Sequence, residues 1–272
     1  MVIDAKSPIG VFDSGVGGLT VLRSLEKLLP NENFIYYGDT ARVPYGNKSD
    51  STVLTYAFED ALFLLRKGAK LLVVACNSAT SVAFGDLQTY FKIPVIGVIN
   101  PGAKAAVKAS KGGGIGVLGT AATIRSNAYQ KAISALNPEL SVKAVSCPLF
   151  VPLAEEGLEN DELSILAAKK YLEPIVNSSI DTLVLGCTHY PLLAEVIGKV
   201  AGSSVTLVDS ADTAAAEVKS VLSTSRLLNP SSQKGEFSFY LSDFQEHFLS
   251  IGERILGRKL QVPQVTNCST DF

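Results

Sequence analysis

The sequence predicts an α/β protein of two similar parallel-sheet α/β domains related by pseudo-two-fold symmetry, with the active site in the cleft between them. Short apolar runs rich in Val and Ile alternate with longer stretches of helical periodicity. The runs are apolar throughout, which is typical of parallel strands covered by helices on both faces. Two segments of the first half recur in the second half in the same order. These three observations favour a duplicated α/β unit.

Composition narrows the class of protein before any motif is considered. Hydrophobic residues make up 47% and charged residues 18% of the 272 residues, which excludes an intrinsically disordered chain. A net charge of −2 argues against a nucleic-acid partner, and no apolar run reaches the roughly 20 residues of a membrane span. The N-terminal residues lack a signal-peptide pattern, and four separated cysteines are typical of a reducing compartment. We therefore expect a cytoplasmic protein with neither nucleic-acid nor membrane partners.

The individual elements follow from local patterns. The predicted strands are 9–12, 33–39, 70–75, 94–99, 115–119, 142–146, 182–186 and 204–210. An apolar stripe from Leu19 to Leu29 predicts the first helix, which stops at Pro30. Further helices are predicted at 49–67, with Ser49 as its cap, and at 123–137, 161–176 and 191–201.

The internal repeat predicts how the chain divides. IGVFDS at 9–14 matches IGVLGT at 115–120, and LLVVACNSAT at 71–80 matches TLVLGCTHYP at 182–191. The matching cysteines, Cys76 and Cys187, lie 111 residues apart (187 − 76). We expect residues 1–99 plus 208–272 to form the first α/β domain and residues 100–207 the second, because the tail has no counterpart in the repeat.

Polar residues follow four of the predicted strands. In open α/β sheets, ligands bind beyond the carboxyl ends of the strands, and domain interfaces commonly hold small-molecule sites. The four exits are Asp13-Ser14-Gly15, Cys76-Asn77-Ser78, Gly119-Thr120 and Cys187-Thr188-His189. If the two halves face one another, these four loops line one cleft.

Cys76 and Cys187 are the strongest candidates for chemistry. Each follows an apolar strand and precedes a predicted helix, whose positive N-terminal end lowers a thiol's pKa. A buried cysteine is often only a small core residue, but the repetition of the pair at the same strand exit favours a functional role. Cys147 precedes Pro148, which offers no N–H group, so we interpret it as packing. Cys268 lies in the tail without a motif around it.

Several chemistries are compatible with two thiols in one cleft. A redox pair would more often be a CxxC motif, and the spacing of the Cys and His residues is not that of a zinc site. Cys187 with His189 as its base is a possible nucleophilic pair. The fourth option is proton transfer on both faces of one carbon, which needs an acid and a base on opposite sides. Asp13 and His189 are the titratable neighbours, although Asp13 is also a plausible helix cap. GIGVLG at 114–119 has its glycines inside a strand, so it does not predict dinucleotide binding.

Five segments together resemble one family of enzymes. FDSGVGGLTV (12–21), YYGDTARVPYG (36–46), ACNSAT (75–80), CPLFVPLAEEG (147–157) and GCTHYPLL (186–193) are similar, in this order, to glutamate racemases of the cofactor-independent aspartate/glutamate racemase family. The resemblance implies that Cys76 and Cys187 move the α-proton of glutamate without a cofactor or metal, assisted by Asp13 and His189. It implies a set of substrate-binding residues: Asp13, Ser14, Tyr45, Gly46, Asn77, Ser78, Thr120, Thr123, Glu155, Thr188 and His189.

The resemblance also implies a biological setting and leaves alternatives. It implies that the chain makes D-glutamate for peptidoglycan synthesis and that it forms a homodimer. It also implies that the small-molecule partner is the substrate glutamate. Aspartate racemase shares the duplicated design and is the nearest alternative. A Cys–His hydrolase or transferase and a non-catalytic two-lobed binding protein are the others. Arg42 lies three residues before Tyr45, and we interpret it as a solvated loop charge.

Overall fold

Two all-parallel sheets organise the chain, for which the computed structural model describes residues 3–244 and 246–266. The strands of the larger sheet are β1 (Ile9–Asp13), β2 (Phe34–Gly38), β3 (Leu71–Val74), β4 (Val95–Gly97), β9 (Phe237–Leu241) and β10 (Gln264–Val265). Those of the smaller sheet are β5 (Gly114–Gly119), β6 (Val142–Ser146), β7 (Ile180–Gly186) and β8 (Thr206–Asp209). The strand orders are β10-β9-β2-β1-β3-β4 and β6-β5-β7-β8.

The shared order of the two sheets confirms the predicted fold class. Four consecutive strands of the larger sheet, up to its β4 edge, run β2-β1-β3-β4, and the smaller sheet repeats this order as β6-β5-β7-β8. All eight predicted strands are present. Two more come from the tail, where β9 pairs with β2 and stacks Phe237 on Phe34 at 5.2 Å between ring centroids. Strand β8 spans residues 207 and 208, so the predicted division of the chain falls inside a strand of the smaller sheet.

Helices cover both faces of each sheet, as the apolar strands require. They are α1 (Leu19–Leu28), α2 (Asp50–Arg66), α3 (Asn77–Tyr90), α4 (Ile99–Ala109), α5 (Ala121–Arg125), α6 (Ala128–Leu136), α7 (Phe150–Glu155), α8 (Glu162–Val176), α9 (Ala194–Ala201), α10 (Ala211–Thr224) and α11 (Glu246–Leu256). Neighbouring residues of β1 enter different cores: Val11 packs on one face of the sheet and Phe12 on the other. Within the described ranges, no helix is both long and apolar enough to cross a bilayer.

Two predicted helices differ in detail from the observed ones. The single helix predicted at 123–137 is wrong, because Asn127 adopts a left-handed conformation (φ 56°) that separates α5 from α6. The helix predicted at 191–201 begins with a 3-10 turn, Tyr190–Leu193, before α9. The predicted cap of α2 is present, with the Ser49 hydroxyl accepting a hydrogen bond from Thr52 N at 3.3 Å.

Candidate active site

The four polar strand exits meet in one place, although they come from two sheets. Asp13 ends β1, and the Thr188 hydroxyl, which follows β7, donates to its Oδ1 at 3.4 Å. Ser78, in the first turn of α3, bonds through its hydroxyl to that of Thr120 at 2.8 Å. Each contact joins a residue that follows the larger sheet to one that follows the smaller sheet. The four predicted loops therefore line a single site.

The glycines of two loops allow this close approach. A Cβ atom on Gly17 would lie 2.4 Å from the Thr188 hydroxyl oxygen and 2.6 Å from Nδ1 of His189. A Cβ atom on Gly46 would lie 2.7 Å from Cβ of Thr120. Since real Cβ contacts are not this short, only glycine allows these loops to pack against the opposite half.

Cys76 lies against donors and next to a carboxylate. It is the N-cap residue of α3, and its Sγ accepts a hydrogen bond from Ala79 N at 3.5 Å. The thiol also reaches the Ser14 hydroxyl at 3.8 Å. The pKa of Cys76 is raised to about 12, mainly by burial. The charge of Asp13 also raises this pKa, by more than the hydrogen bond from Ala79 N lowers it. The predicted lowering of this thiol's pKa is therefore wrong, because the loss of hydration on burial raises the pKa more than the N-terminal end of α3 lowers it.

Cys187 has a different neighbour, the imidazole two residues further on. Nδ1 of His189 lies 3.9 Å from Sγ of Cys187, and its Nε2 lies 2.9 Å from Oε1 of Glu155 at the end of α7. Burial by itself would lower the pKa of His189, but the contacts with Cys187 and Glu155 raise it to about 10. The ring is thus an imidazolium at neutral pH, held between a sulfur and a carboxylate. The segment after Cys187 is a 3-10 turn rather than the predicted α-helix.

Asp13 is fully buried at the turn that follows β1. Its Oδ2 accepts a hydrogen bond from Gly15 N at 3.0 Å. Burial raises the pKa of Asp13, while the nearby His189 lowers it. The Tyr36 hydroxyl donates a hydrogen bond to the Gly15 carbonyl at 2.6 Å and so stabilises this turn. Tyr36 was not among the site residues predicted from the sequence. Asp13 therefore caps the glycine-rich turn, and its charge also acts on Cys76.

Hydroxyl and amide groups complete the lining of the site. Thr120 is the N-cap residue of α5, with its hydroxyl 3.1 Å from that of Thr123. Asn77 lies in the first turn of α3, and its Oδ1 accepts a hydrogen bond from the Tyr129 hydroxyl at 2.8 Å. This bond fixes the orientation of the amide. Tyr129 lies in α6 of the other half and was missed from the sequence, because nothing local marks it.

Tyr45 and Arg42 have roles that the sequence did not predict. The Tyr45 hydroxyl contacts the carboxylates of Asp39 and Asp60 rather than either thiol. Arg42 forms ion pairs with Asp39, Glu59 and Asp60, and its side chain is only 19% exposed. Its interpretation as a solvated loop charge is therefore wrong: three carboxylates hold it at the surface of the first half.

The remaining cysteines are Cys147 and Cys268. Cys147 is fully buried, and among the residues that the structure describes its thiol forms a hydrogen bond only with the Val145 carbonyl, at 3.6 Å. Burial raises the pKa of this thiol. Cys268 lies outside the described residues. Over residues 3–244 and 246–266, no group of three or more His, Cys, Asp or Glu side chains has the geometry of a metal site.

Two thiols with unlike partners can serve as an acid and a base. Cys187 lies beside the imidazolium of His189, whereas Cys76 lies near the carboxylate of Asp13, whose charge favours the protonated thiol. The charges of the two sulfurs also act on one another, so both belong to one electrostatic unit. A carbon acid bound between them could lose a proton to one sulfur and gain one from the other.

Known proteins that resemble this chain share both its length and its fold. Residues 9–218 match the family described as Asp/Glu/Hydantoin racemase. The glutamate racemase of Geobacter metallireducens is 53% identical over 252 residues, which cover 93% of both chains.

Solved structures agree with this match. A glutamate racemase from Bacillus anthracis superposes with a TM-score of 0.92 at 42% identity, covering 96% of this chain and 97% of that one. A glutamate racemase from Francisella tularensis, in complex with D-glutamate, has a TM-score of 0.92 at 38% identity, covering 98% and 100% of the two chains. The sequence, the paired sheets and the relatives agree, and the chain belongs to the Asp/Glu/Hydantoin racemase family, among its glutamate racemases.

Proposed function

We propose that the chain interconverts L- and D-glutamate by proton transfer between Cα of the substrate and two cysteines, one on each face. The observation that carries this proposal is the pairing of Cys76 and Cys187 at equivalent strand ends, with partners of opposite charge. Racemisation requires a base and an acid that exchange roles with the direction of reaction. Two thiols in one site meet that requirement without a further cofactor.

The proton transfer balances between the two sulfurs. With one enantiomer bound, the Cys187 thiolate takes the α-proton and the Cys76 thiol gives its own proton to the opposite face of Cα. The products are a thiol at Cys187 and a thiolate at Cys76. For the other enantiomer the roles exchange, so Cys187 must first gain a proton, for which the His189 imidazolium is the proposed donor, and Cys76 must first release its own. Asp13 is the proposed acceptor, because burial raises its pKa and its charge acts on this thiol.

His189 and Glu155 have the corresponding task on the other side. The imidazolium stabilises the Cys187 thiolate, and Glu155 holds the ring in place through Nε2. The Glu155 carboxylate also keeps the proton on the ring, because it raises the pKa of His189. We therefore assign His189 to catalysis and Glu155 to its support.

The substrate is proposed to lie among the short polar side chains between the sulfurs. Glutamate carries two carboxylates and an ammonium group, which hydroxyl, amide and backbone N–H groups can bind. The proposed contacts are Asp13, Ser14, Tyr45, Gly46, Asn77, Ser78, Thr120, Thr123, Thr188 and His189. Because Oδ1 of Asn77 is occupied by Tyr129, its Nδ2 group is the part that faces a carboxylate. The Francisella tularensis relative, solved with D-glutamate, supports glutamate as the ligand.

The wider setting is part of the same proposal. D-glutamate would serve peptidoglycan synthesis in the cytoplasm, and the active species would be a homodimer. The two domains would comprise residues 1–99 plus 208–272 and residues 100–207, with the boundary displaced to the end of β8. Cys76 and Cys187 are only 5% and 6% exposed, which supports the proposal that the two halves separate when glutamate enters.

Proton NMR in deuterated water tests this function directly. The purified protein is incubated with L-glutamate and no cofactor, and the α-proton signal is followed together with the appearance of D-glutamate. Loss of the signal with formation of D-glutamate is the expected result. A clear preference for aspartate would replace the substrate, and retention of the α-proton in both amino acids would contradict racemisation. The double variant Cys76→Ser/Cys187→Ser is the matched inactive control.

A further inference from the structure

The Tyr45 hydroxyl lies between two buried carboxylates. Asp39 follows β2 and Asp60 lies in the middle of α2, and both side chains are completely shielded from solvent. The hydroxyl contacts Oδ2 of Asp39 and lies 2.9 Å from Oδ2 of Asp60. Arg42 joins the group through Nε, at 2.6 Å from the same Asp39 oxygen, and through Nη2, at 3.1 Å from Oδ1 of Asp60.

The number of protons available decides how this group is bonded. A tyrosine hydroxyl has one proton to donate, and an ionised carboxylate only accepts hydrogen bonds. If the Tyr45 proton goes to Asp39, the contact between Tyr45 and Asp60 needs a second proton. Asp60 can bring that proton itself by remaining a carboxylic acid. The result is a chain in which Asp60 donates to Tyr45, Tyr45 donates to Asp39, and Arg42 donates to both carboxyl groups.

The electrostatics of the group agree with this proton count. The titratable and charged groups that act on Asp60 include Asp39 from the end of β2, Arg42 and Tyr45 from the following segment, and Glu59 from its own helix. Burial and the charge of Asp39 raise the pKa of Asp60 well above its usual range, against the lowering effect of Arg42. Three carboxyl groups share one guanidinium here, so a proton on Asp60 relieves a like-charge contact.

The group holds a segment that faces the second half. Tyr45 and Gly46 form one 3-10 turn, and Gly46 packs against Thr120 without room for a Cβ atom. Thr120 in turn bonds to Ser78, next to the thiol-bearing Cys76-Asn77 segment. A shift of the Tyr45 ring would therefore move Gly46 within the site where the proposed function puts glutamate.

We propose that Asp60 is a positioning residue that stays in its acid form and fixes the Tyr45–Gly46 turn in the substrate site through the chain Asp60–Tyr45–Asp39. This proposal rests on the proposed function only in its kinetic consequence. The protonation of Asp60 and the hydrogen-bond chain do not depend on which substrate is bound.

Two amide variants distinguish the carboxyl groups. In Asp60→Asn, the amide oxygen can accept from Arg42 while the NH2 group donates to the Tyr45 oxygen, so one orientation satisfies both of these contacts. In Asp39→Asn, neither orientation does: an NH2 group at Oδ2 faces the donors of Arg42 and Tyr45. In the other orientation the NH2 group takes the place of Oδ1, which is buried and has no hydrogen-bond partner among the described residues.

The kinetic outcome should follow this difference. We expect Asp60→Asn to keep KM for glutamate within about twofold of wild type and Asp39→Asn to raise it by about tenfold, with a smaller change in kcat. In wild type, KM should rise on the alkaline side as Asp60 loses its proton, and this rise should be missing in Asp60→Asn. Equal KM values in both variants, or a tenfold loss in Asp60→Asn, would overturn the proposal.

Infrared spectroscopy gives a measurement that is independent of turnover. The difference spectrum between wild type and Asp60→Asn at neutral pH should contain the C=O stretch of a protonated carboxylic acid, which is absent if Asp60 is ionised. If wild type does not racemise glutamate, the proposed function fails, but the carboxylic-acid band still shows whether Asp60 is protonated. Absence of this band overturns the proposal whatever the activity.

Discussion

The surroundings of Cys76 and of Cys187 differ more than their positions in the fold do. Both thiols follow the third strand of a parallel sheet whose strands have the same order, β2-β1-β3-β4 in one and β6-β5-β7-β8 in the other. Cys76 lies near Asp13 and the Ser14 hydroxyl, whereas Cys187 lies near the imidazolium of His189. One sulfur thus has an anion as its charged neighbour and the other a cation.

This difference shows how a duplicated backbone supports two unlike chemical states. Burial and a neighbouring carboxylate raise the pKa of Cys76 to about 12, so that thiol holds its proton at neutral pH. His189, whose pKa is about 10, places a positive charge beside Cys187 instead. In the proposed mechanism one sulfur starts as the acid and the other as the base, and the roles exchange with the configuration of the substrate.

The largest expected effect comes from removing one sulfur at a time. Cys76→Ser and Cys187→Ser should each reduce racemisation by about 10²–10⁴-fold. Exchange of the α-proton from one enantiomer should fall more than from the other, and the two variants should show opposite patterns, because each sulfur faces one side of Cα. Deuterium incorporation at Cα, measured separately for L- and D-glutamate, tests this. Equal losses for both enantiomers in each variant would contradict the two-face assignment.

Changing the charged neighbours should affect the two thiols differently. His189→Asn removes the cation beside Cys187, so exchange through this sulfur should fall by about 10²-fold. Asp13→Asn removes an anion that raises the pKa of Cys76, so this thiol should titrate below its present value of about 12. Deuterium exchange at Cα measures the first effect, and ultraviolet thiolate absorbance of Cys76 as a function of pH, in a background lacking Cys187, measures the second. A shift of Cys76 to higher pH in Asp13→Asn would contradict the electrostatic comparison.

His189 should also make stability depend on pH. Its pKa in the folded chain is about 10, above the roughly 6.5 of an unfolded histidine, so the folded state holds the proton more tightly. The contribution is complete below about pH 6.5 and is lost as the pH rises through 10. Urea unfolding at several pH values should therefore show that the difference in free energy of unfolding between wild type and His189→Asn shrinks over that window. A difference that stays constant would mean that the ring is neutral in the folded state.

The smallest effect is expected at the third buried thiol. Cys147→Ala removes a sulfur whose only hydrogen-bond contact among the described residues is the Val145 carbonyl. Racemisation should remain within about twofold of wild type, with a stability loss of about 1 kcal/mol from the small cavity. Thermal unfolding and the deuterium-exchange assay measure the two quantities. A large loss of exchange would give Cys147 a part in proton transfer and weaken the comparison of only two thiols.

Much of the site could be predicted because its signals are local. Strand runs, the repeat and the polar residues after each strand identified the exits at Asp13, Cys76, Thr120 and Cys187. Parallel strands bring their carboxyl ends to one edge, so the approximate grouping of these residues followed from the fold class. The break at Asn127 was missed, since the amphipathic pattern continues across it.

The contacts that join distant parts of the chain could not be predicted in the same way. Tyr129 meets Asn77 across 52 residues, and Tyr36 reaches Gly15 across 21. From the sequence, Arg42 is interpreted as an ordinary loop cation, because nothing in the sequence around Asp60 on α2 marks that residue as its partner.

The sequence by itself determined the fold class, the duplicated arrangement and the two cysteines at matching strand exits, because periodicity and repetition are properties of neighbouring residues. Only the tertiary structure decided that the first thiol is held as an acid and that the second faces an imidazolium. A pKa depends on lost water and on charges within a few ångströms, and folding sets both. The same holds for the Tyr45 hydroxyl, whose two carboxylate partners come together only when β2 packs beside α2.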